Sequence, residues 1–327
     1  MTRPPAPPAT VATPTLGLVT ATTAAARPRV LEAGTWRARE RAHRARAEAL
    51  TAARRARRAR GERDPVEDFL FEYYPIRPGK LARWHPGVGI ALRGSRAAPD
   101  AAAVEKELAS RARWRWHTTT DDGVILDDAE YLADRSDGVR WLHEVLSRTA
   151  RRPAHLGCLG LHEWAMVYRD RDHRHDLPLR LGQEGTDAVV EAHPIRCSHF
   201  DAFRFFTGAA RPRNRLQPTR ASQPDLEQPG CLHANMDLLK AANILGPACP
   251  GELLLDCFEL ARDIRVLDMR ASPYDLRDLG HEPVAIETAA GRAEYIGHQR
   301  RFAERAAPLR DRLIEVTRAL LGNRLEP

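Results

Sequence analysis

The chain has 327 residues, 43% hydrophobic and 29% charged, the balance of a soluble globular protein that is long for one core and short for three. Its formal charge of +7 suits an anionic partner, but Lys occurs only at 80, 106 and 240, so the basic balance is nearly all Arg and fits solubility as well as nucleic acid. The five cysteines (158, 197, 231, 249, 257) form no C-x-x-C pair and predict reduced thiols in a cytoplasmic protein, and no apolar run reaches the roughly 18 to 20 residues that span a bilayer.

In chain order, residues 1–34 are rich in Pro, Thr and Ala and predict a disordered tail, followed by a single domain over 35–327. Thr35 is the expected N-cap of a basic helix reaching Arg60 and stopping at Gly61. Its Arg54-Arg-Ala-Arg-Arg-Ala-Arg60 segment reads either as a phosphate-contacting arm or as a solvated helix face. Asp64 begins a helix for the aromatic run Phe69–Tyr74, expected in the core. Trp84-His-Pro-Gly-Val-Gly89 has the turn of a DNA-binding hairpin, but Ile90–Ser95 reads as a strand where such a module needs a helix. Residues 97–122 read as a connector with one helical stretch, and Ser136–Thr149 as an amphipathic helix.

Beyond Pro153 the pattern changes. Leu161–Tyr168 suits a helix or a strand, Asp187–His193 a strand, and Ser198-His-Phe-Asp201 a capping box opening a short helix through Phe206. Gly208–Gly230 has no periodicity, which in a compact domain marks function or disorder. A helix opens near Asn235 and runs to Leu245. Another begins at Pro250 and reaches about Met269, with Glu252, Asp256, Glu259 and Asp263 as an acidic stripe expected to pair with Arg262 and Arg265. Two helices, 292–306 and 308–321, close the chain, giving an α+β fold that is predominantly helical with a few short strands.

This second half gathers His, carboxylate, Arg and amide groups inside apolar runs, where each unpartnered burial costs roughly 1 to 3 kcal/mol. Such a concentration points to an active site. Three times a Cys is followed closely by a His, at 158/162, 197/199 and 231/233, so metal binding through His162, His199 and His233 is one reading. Carboxylates that orient water or stabilise a developing cation are the other, with Glu163 and Asp201 foremost. Arg211, Arg213, Arg215 and Arg220 suit a phosphate backbone, and Trp164 with Phe200, Phe203, Phe205 and Phe206 a base-stacking wall. No phosphate loop, dinucleotide fingerprint or H-E-x-x-H is present.

Several segments carry a resemblance: Trp36-Arg-Ala-Arg-Glu-Arg-Ala-His43, Leu161-His-Glu-Trp-Ala-Met-Val-Tyr168, Arg196-Cys-Ser-His-Phe-Asp-Ala-Phe-Arg-Phe-Phe206, Gln228-Pro-Gly-Cys-Leu-His-Ala-Asn-Met-Asp237 and Asp268-Met-Arg-Ala-Ser-Pro-Tyr-Asp275. With Pro65–Phe71, Arg83–Gly87 and Leu216–Thr219, they make nearly everything after residue 35 resemble a family of actinobacterial proteins labelled 3-methyladenine DNA glycosylase. The resemblance implies hydrolysis of the N-glycosidic bond of an alkylated purine, flipped out of double-stranded DNA. It implies no cofactor, no membrane and no obligate protein partner, and it brings no assigned residue. From the residues, the candidate acids are Asp201, Glu163 and Asp237, with His199 and His233 orienting water or base. Trp164, Phe203, Asn235 and Tyr274 are candidates to hold the base, and Arg204, Arg220 and Arg270 to meet phosphates. The alternative is a metal-dependent hydrolase of a small molecule or nucleotide.

Overall fold

A computed structural model describes residues 27–94, 100–173 and 175–322; most of the predicted tail, residues 1–26, lies outside the described residues. The described part opens on strand β1 (Arg29–Glu32), within the span expected to be tail, and helix α1 (Ala33–Ala59) follows with Glu32 rather than Thr35 at its N-cap. A distant partner is the reason. After the short helices α2 (Phe69–Tyr73) and α3 (Pro78–Leu81), strand β2 (Ile90–Arg93) pairs in parallel with β1 and gives its inner edge backbone partners.

Helix α4 (Ala101–Ala112) then leads into a hairpin of β3 (His117–Thr120) and β4 (Gly123–Leu126), giving a mixed sheet in the order β1-β2-β4-β3. Gly123, at φ +124°, is required there because a Cβ would lie 2.2 Å from the Leu92 carbonyl oxygen of β2.

The remainder is helical: α5 (Asp128–Ala150), α6 (Leu161–Ala165), α7 (Gly182–Ala192), α8 (Phe200–Phe203), α9 (Gln223–Leu226), α10 (Leu232–Leu245), α11 (Gly251–Arg270) and α12 (Ala289–Leu321). With 59% helix and one small sheet among the described residues, the expected fold class holds. Helix α10 packs on α11 and α12, and α12 runs along α5, so α10 is apolar on most sides and deeply buried.

Three local expectations fail for identifiable reasons. Residues 187–192 are helix rather than strand: the turn begins at Gly182, Thr186 Oγ1 bonds the Gly182 carbonyl at 2.7 Å, and Val189 and Val190 form its buried side. The capping box at Ser198 does not form; His199 is the N-cap of α8, whose last residue is Phe203, and the Asp201 carboxylate turns away toward Lys240 and Arg220. The expected break before Pro308 is absent. An interior proline costs roughly 3 kcal/mol, yet α12 continues through it because buried Ala306, Arg310 and Leu313 anchor both sides.

The Arg-rich end of α1 is tied to the next segment, with Arg54 on Asp68 (2.9 Å), Arg57 on Glu67 and Arg58 on Glu72 (3.3 Å). The acidic stripe of α11 docks α1 and α12: Glu252 pairs with Arg39, Asp256 with Arg46 and Arg312, Glu259 with Arg46, and Asp263 with Arg305 as well as the expected Arg262. Arg265 points the other way. No helix among the described residues is long and apolar enough to cross a membrane.

Candidate active site

Two groups of titratable side chains meet at the heart of the helical half. The inner group begins at a sharp turn in which Leu159 and Gly160 are both left-handed (φ 52° and 70°), a conformation costing Leu about 1 to 2 kcal/mol. That turn starts α6 and buries His162 and Glu163. His233 enters from the first turn of α10, while Arg265 and Asp268, one turn apart on α11, face the same point. His162 Nε2 lies 2.9 Å from Asp268 Oδ1, and Arg265 Nη1 lies 3.2 Å from Asp268 Oδ2 and 3.5 Å from Glu163 Oε1. The rings of His162 and His233 meet edge to face at 4.4 Å, and Arg265 stacks on Phe69 at 3.9 Å.

The outer group is Asp201 of α8, Asp237 and Lys240 of α10, Arg220 of the proline-rich loop, and His199. On α10 the spacing of His233, Asp237 and Lys240 puts all three on one face. Lys240 Nζ donates to Asp201 Oδ2 at 2.6 Å and to Asp237 Oδ2 at 3.4 Å; Arg220 Nη2 donates to Asp201 Oδ1 at 2.8 Å, and the Tyr74 hydroxyl to Asp237 Oδ1 at 2.9 Å. His199 Nδ1 is 3.0 Å from Glu227 Oε1, off the line of a full hydrogen bond, and its Nε2 is 3.7 Å from Asp237 Oδ2. Its ring stacks on His233 at 5.4 Å, joining the two groups.

Asp201 lies on the floor of an open cleft of about 1020 Å³, walled by Phe69, Tyr73 and Phe205 and rimmed by Arg63, Arg204, Arg220 and Lys240. Asp237 opens instead onto a side hollow of about 80 Å³ with Glu227 and the apolar face of α5. A gap of about 20 Å³, bounded by Asp201 and Tyr73 on one side and Glu163, His233 and Arg265 on the other, separates the cleft from the inner group. One water fits such a space.

These surroundings set the protonation states. Burial pushes the Asp201 carboxyl up, but its Lys240 hydrogen bond, with the charges of Lys240, His199 and Arg220, outweighs burial and holds it below the ordinary carboxylate range. Burial raises Asp237, more than His199 and Lys240 lower it. Lys240 is held charged, the two aspartates overcoming its burial. Burial drives His233 well below the usual imidazole value, helped by His162, and leaves it neutral, whereas for His199 burial, the largest influence, is outweighed by Glu227, Asp237 and Asp201 together, which raise it. All five thiols are pushed up by burial, Cys197 to about 12, so none is a ready thiolate.

Glu163, His199, Asp201, His233, Asp237 and Arg220 therefore converge as the sequence suggests, with Arg204 at the rim, 3.6 Å from Asp201. Tyr274 is buried beside the narrow gap. Four expected substrate contacts belong elsewhere. Trp164 is fully buried with Nε1 on the Ala271 carbonyl at 2.9 Å, and Phe203 packs on Phe206 in the core. Asn235 is fully buried between Arg310 and the Pro229 carbonyl, and Arg270 binds the Glu282 carbonyl at 2.7 Å. Each of the four serves packing or local backbone bonding instead. The expected metal trio also divides: His162 and His233 share the inner group, while His199 belongs with Asp201 and Asp237.

Sequence reasoning missed Lys240, Glu227, Arg265 and Asp268. A rare Lys three residues after an Asp, and an Arg and Asp at helical spacing amid α11's apolar residues, were the available signals. Comparison with models of known families, with curated proteins and with solved structures gives no match.

Proposed function

We propose that the cleft hydrolyses the N-glycosidic bond of an alkylated purine nucleotide in DNA, the 3-methyladenine type of lesion. The observation that carries this reading is Asp201: a buried carboxylate, kept ionised by Lys240 and Arg220, on the floor of a cleft with aromatic walls and a cationic rim. A lesion base bearing positive charge leaves readily. Its bond to C1′ breaks with the electron pair going to the base, which becomes neutral, and the sugar develops oxocarbenium character facing Asp201. A water oxygen bonds to C1′, and its proton leaves by way of Asp201 to solvent in the open cleft. Tyr73 and Phe205 line the cleft where the flipped base would stack, and Arg63, Arg204 and Arg220 suit flanking phosphates. Asp237, open to the side hollow, holds Lys240 in place.

The test is incubation of the purified protein with duplex DNA carrying 3-methyladenine and with the unmodified duplex, followed by chromatography of the released base. Free 3-methyladenine from the first alone supports the reading; release no faster than without protein rejects it.

A further inference from the structure

We propose that His162, Glu163, His233 and Asp268 form a binding site for one divalent transition-metal ion, a site distinct from the cleft carboxylates. Two imidazoles and two carboxylates are a donor set suited to zinc, manganese or iron. One ligating atom from each residue lies within 4.8 Å of all the others. Ligands about 2.0 to 2.2 Å from a shared ion stand roughly 3.4 Å apart in a tetrahedron, so small side-chain rotations close the set.

Three further features fit a built site. The donors come from three separate helices, α6, α10 and α11, and all are buried, so their positions are fixed by packing rather than by a mobile loop. Asp268 also receives Arg265, itself clamped on Phe69, which is the outer support that orients a ligating carboxylate. Finally, the narrow gap beneath the cleft is bordered by Glu163 and His233 and is wide enough for one water, giving both an access path and room for a solvent ligand. The charges also close: with neutral imidazoles, the two carboxylates and Arg265 sum to minus one, which a dication carrying one hydroxide balances.

The outer group is a weaker candidate although its donor atoms are equally near one another, because Lys240 and Arg220 already balance the charges of Asp201 and Asp237, whereas Arg265 alone faces the two inner carboxylates. There the cationic role is filled by side chains. The rival for the inner group is a metal-free network in which His162 carries a proton against Asp268.

This inference stands independently of the cleft's substrate. The untagged protein, purified without chelator, is assayed by elemental analysis, and the stripped protein is titrated with Zn²⁺ and with Co²⁺ while its melting temperature and visible absorption are followed. One equivalent of metal is expected, with a rise in Tm on reloading and cobalt bands of a low-coordinate site. His233→Ala and the milder Glu163→Gln should each weaken binding by about tenfold or more, while Asp201→Asn keeps the metal. A stripped protein that binds neither ion overturns the proposal, as does bound metal that is unchanged in Glu163→Gln.

Discussion

The sheet side and the helical half both bury charge, and they do so differently. Beside the sheet, Arg111 of α4 pairs with Glu40 at 2.6 Å and lies over the rings of Trp36, Trp84 and Trp114 at 4.9 to 5.6 Å. One cation meets one carboxylate and several aromatic faces, and the arrangement joins α4 to α1. In the helical half the ionisable groups outnumber their good hydrogen bonds: among the described residues, both ring nitrogens of His199, and Nε and Nη2 of Arg265, lack a well-aligned hydrogen-bond partner, and the group borders an open cleft. Burial of polar side chains is thus common to structural and reactive regions. What separates them is convergence of many groups on one opening.

The strongest way to break this distinction is to neutralise one charge in each region. Asp201→Asn should lower base release by about a thousandfold, with folding retained because Asp237 still neutralises Lys240; base release is measured by single-turnover chromatography. Arg111→Leu should do the reverse. It should cost about 3 kcal/mol of stability in urea unfolding, since it leaves Glu40 with only Arg44, 3.8 Å away, and empties the space among the tryptophans, while the rate per folded molecule stays at the wild-type value. Equal loss of activity in both variants would dissolve the contrast.

A pH profile sharpens it. Asp201 has a depressed folded-state pKa, so it contributes both activity and stability above its unfolded value, and both are lost only as pH falls through the lower folded value. The acid limb of the rate profile should therefore lie below the ordinary Asp value of about 3.9. Lys240→Met removes the main lowering influence and should shift that limb to higher pH. An unmoved limb would show that Asp201 does not govern the rate.

The smallest effect concerns the basic helix. Because Arg57 is engaged by Glu67, Arg57→Ala should cost about 0.5 kcal/mol and leave both the affinity for DNA and its salt dependence unchanged. A shallower salt dependence would restore the phosphate-arm reading.

Much of this was legible in the sequence where a local signal and the fold agree. The basic first helix, the strand at 90–93 and the long helix from 251 all follow from composition and spacing, whereas the three Cys-His runs do not gather as one set. The convergence of Glu163, Asp201 and His233 was legible only as a suspicion, because it depends on how α6, α8 and α10 pack. Elements defined by distant partners were not legible. Strand β1 needs β2, the hairpin joins a short polar β3 to a short apolar β4 with no shared alternation, and α12 survives Pro308 through packing. Lys240 and Arg265 left only the weak signals of spacing, and it takes the bundle to bury Arg265 and bring Lys240 to the cleft.

The most direct test of the account is single-turnover release of 3-methyladenine from lesion-bearing duplex DNA by the wild-type protein, Asp201→Asn and Arg111→Leu side by side. The account predicts release by the wild type and by folded Arg111→Leu at similar rates and almost none by Asp201→Asn. Release by Asp201→Asn at the wild-type rate, or none by the wild type, would contradict it.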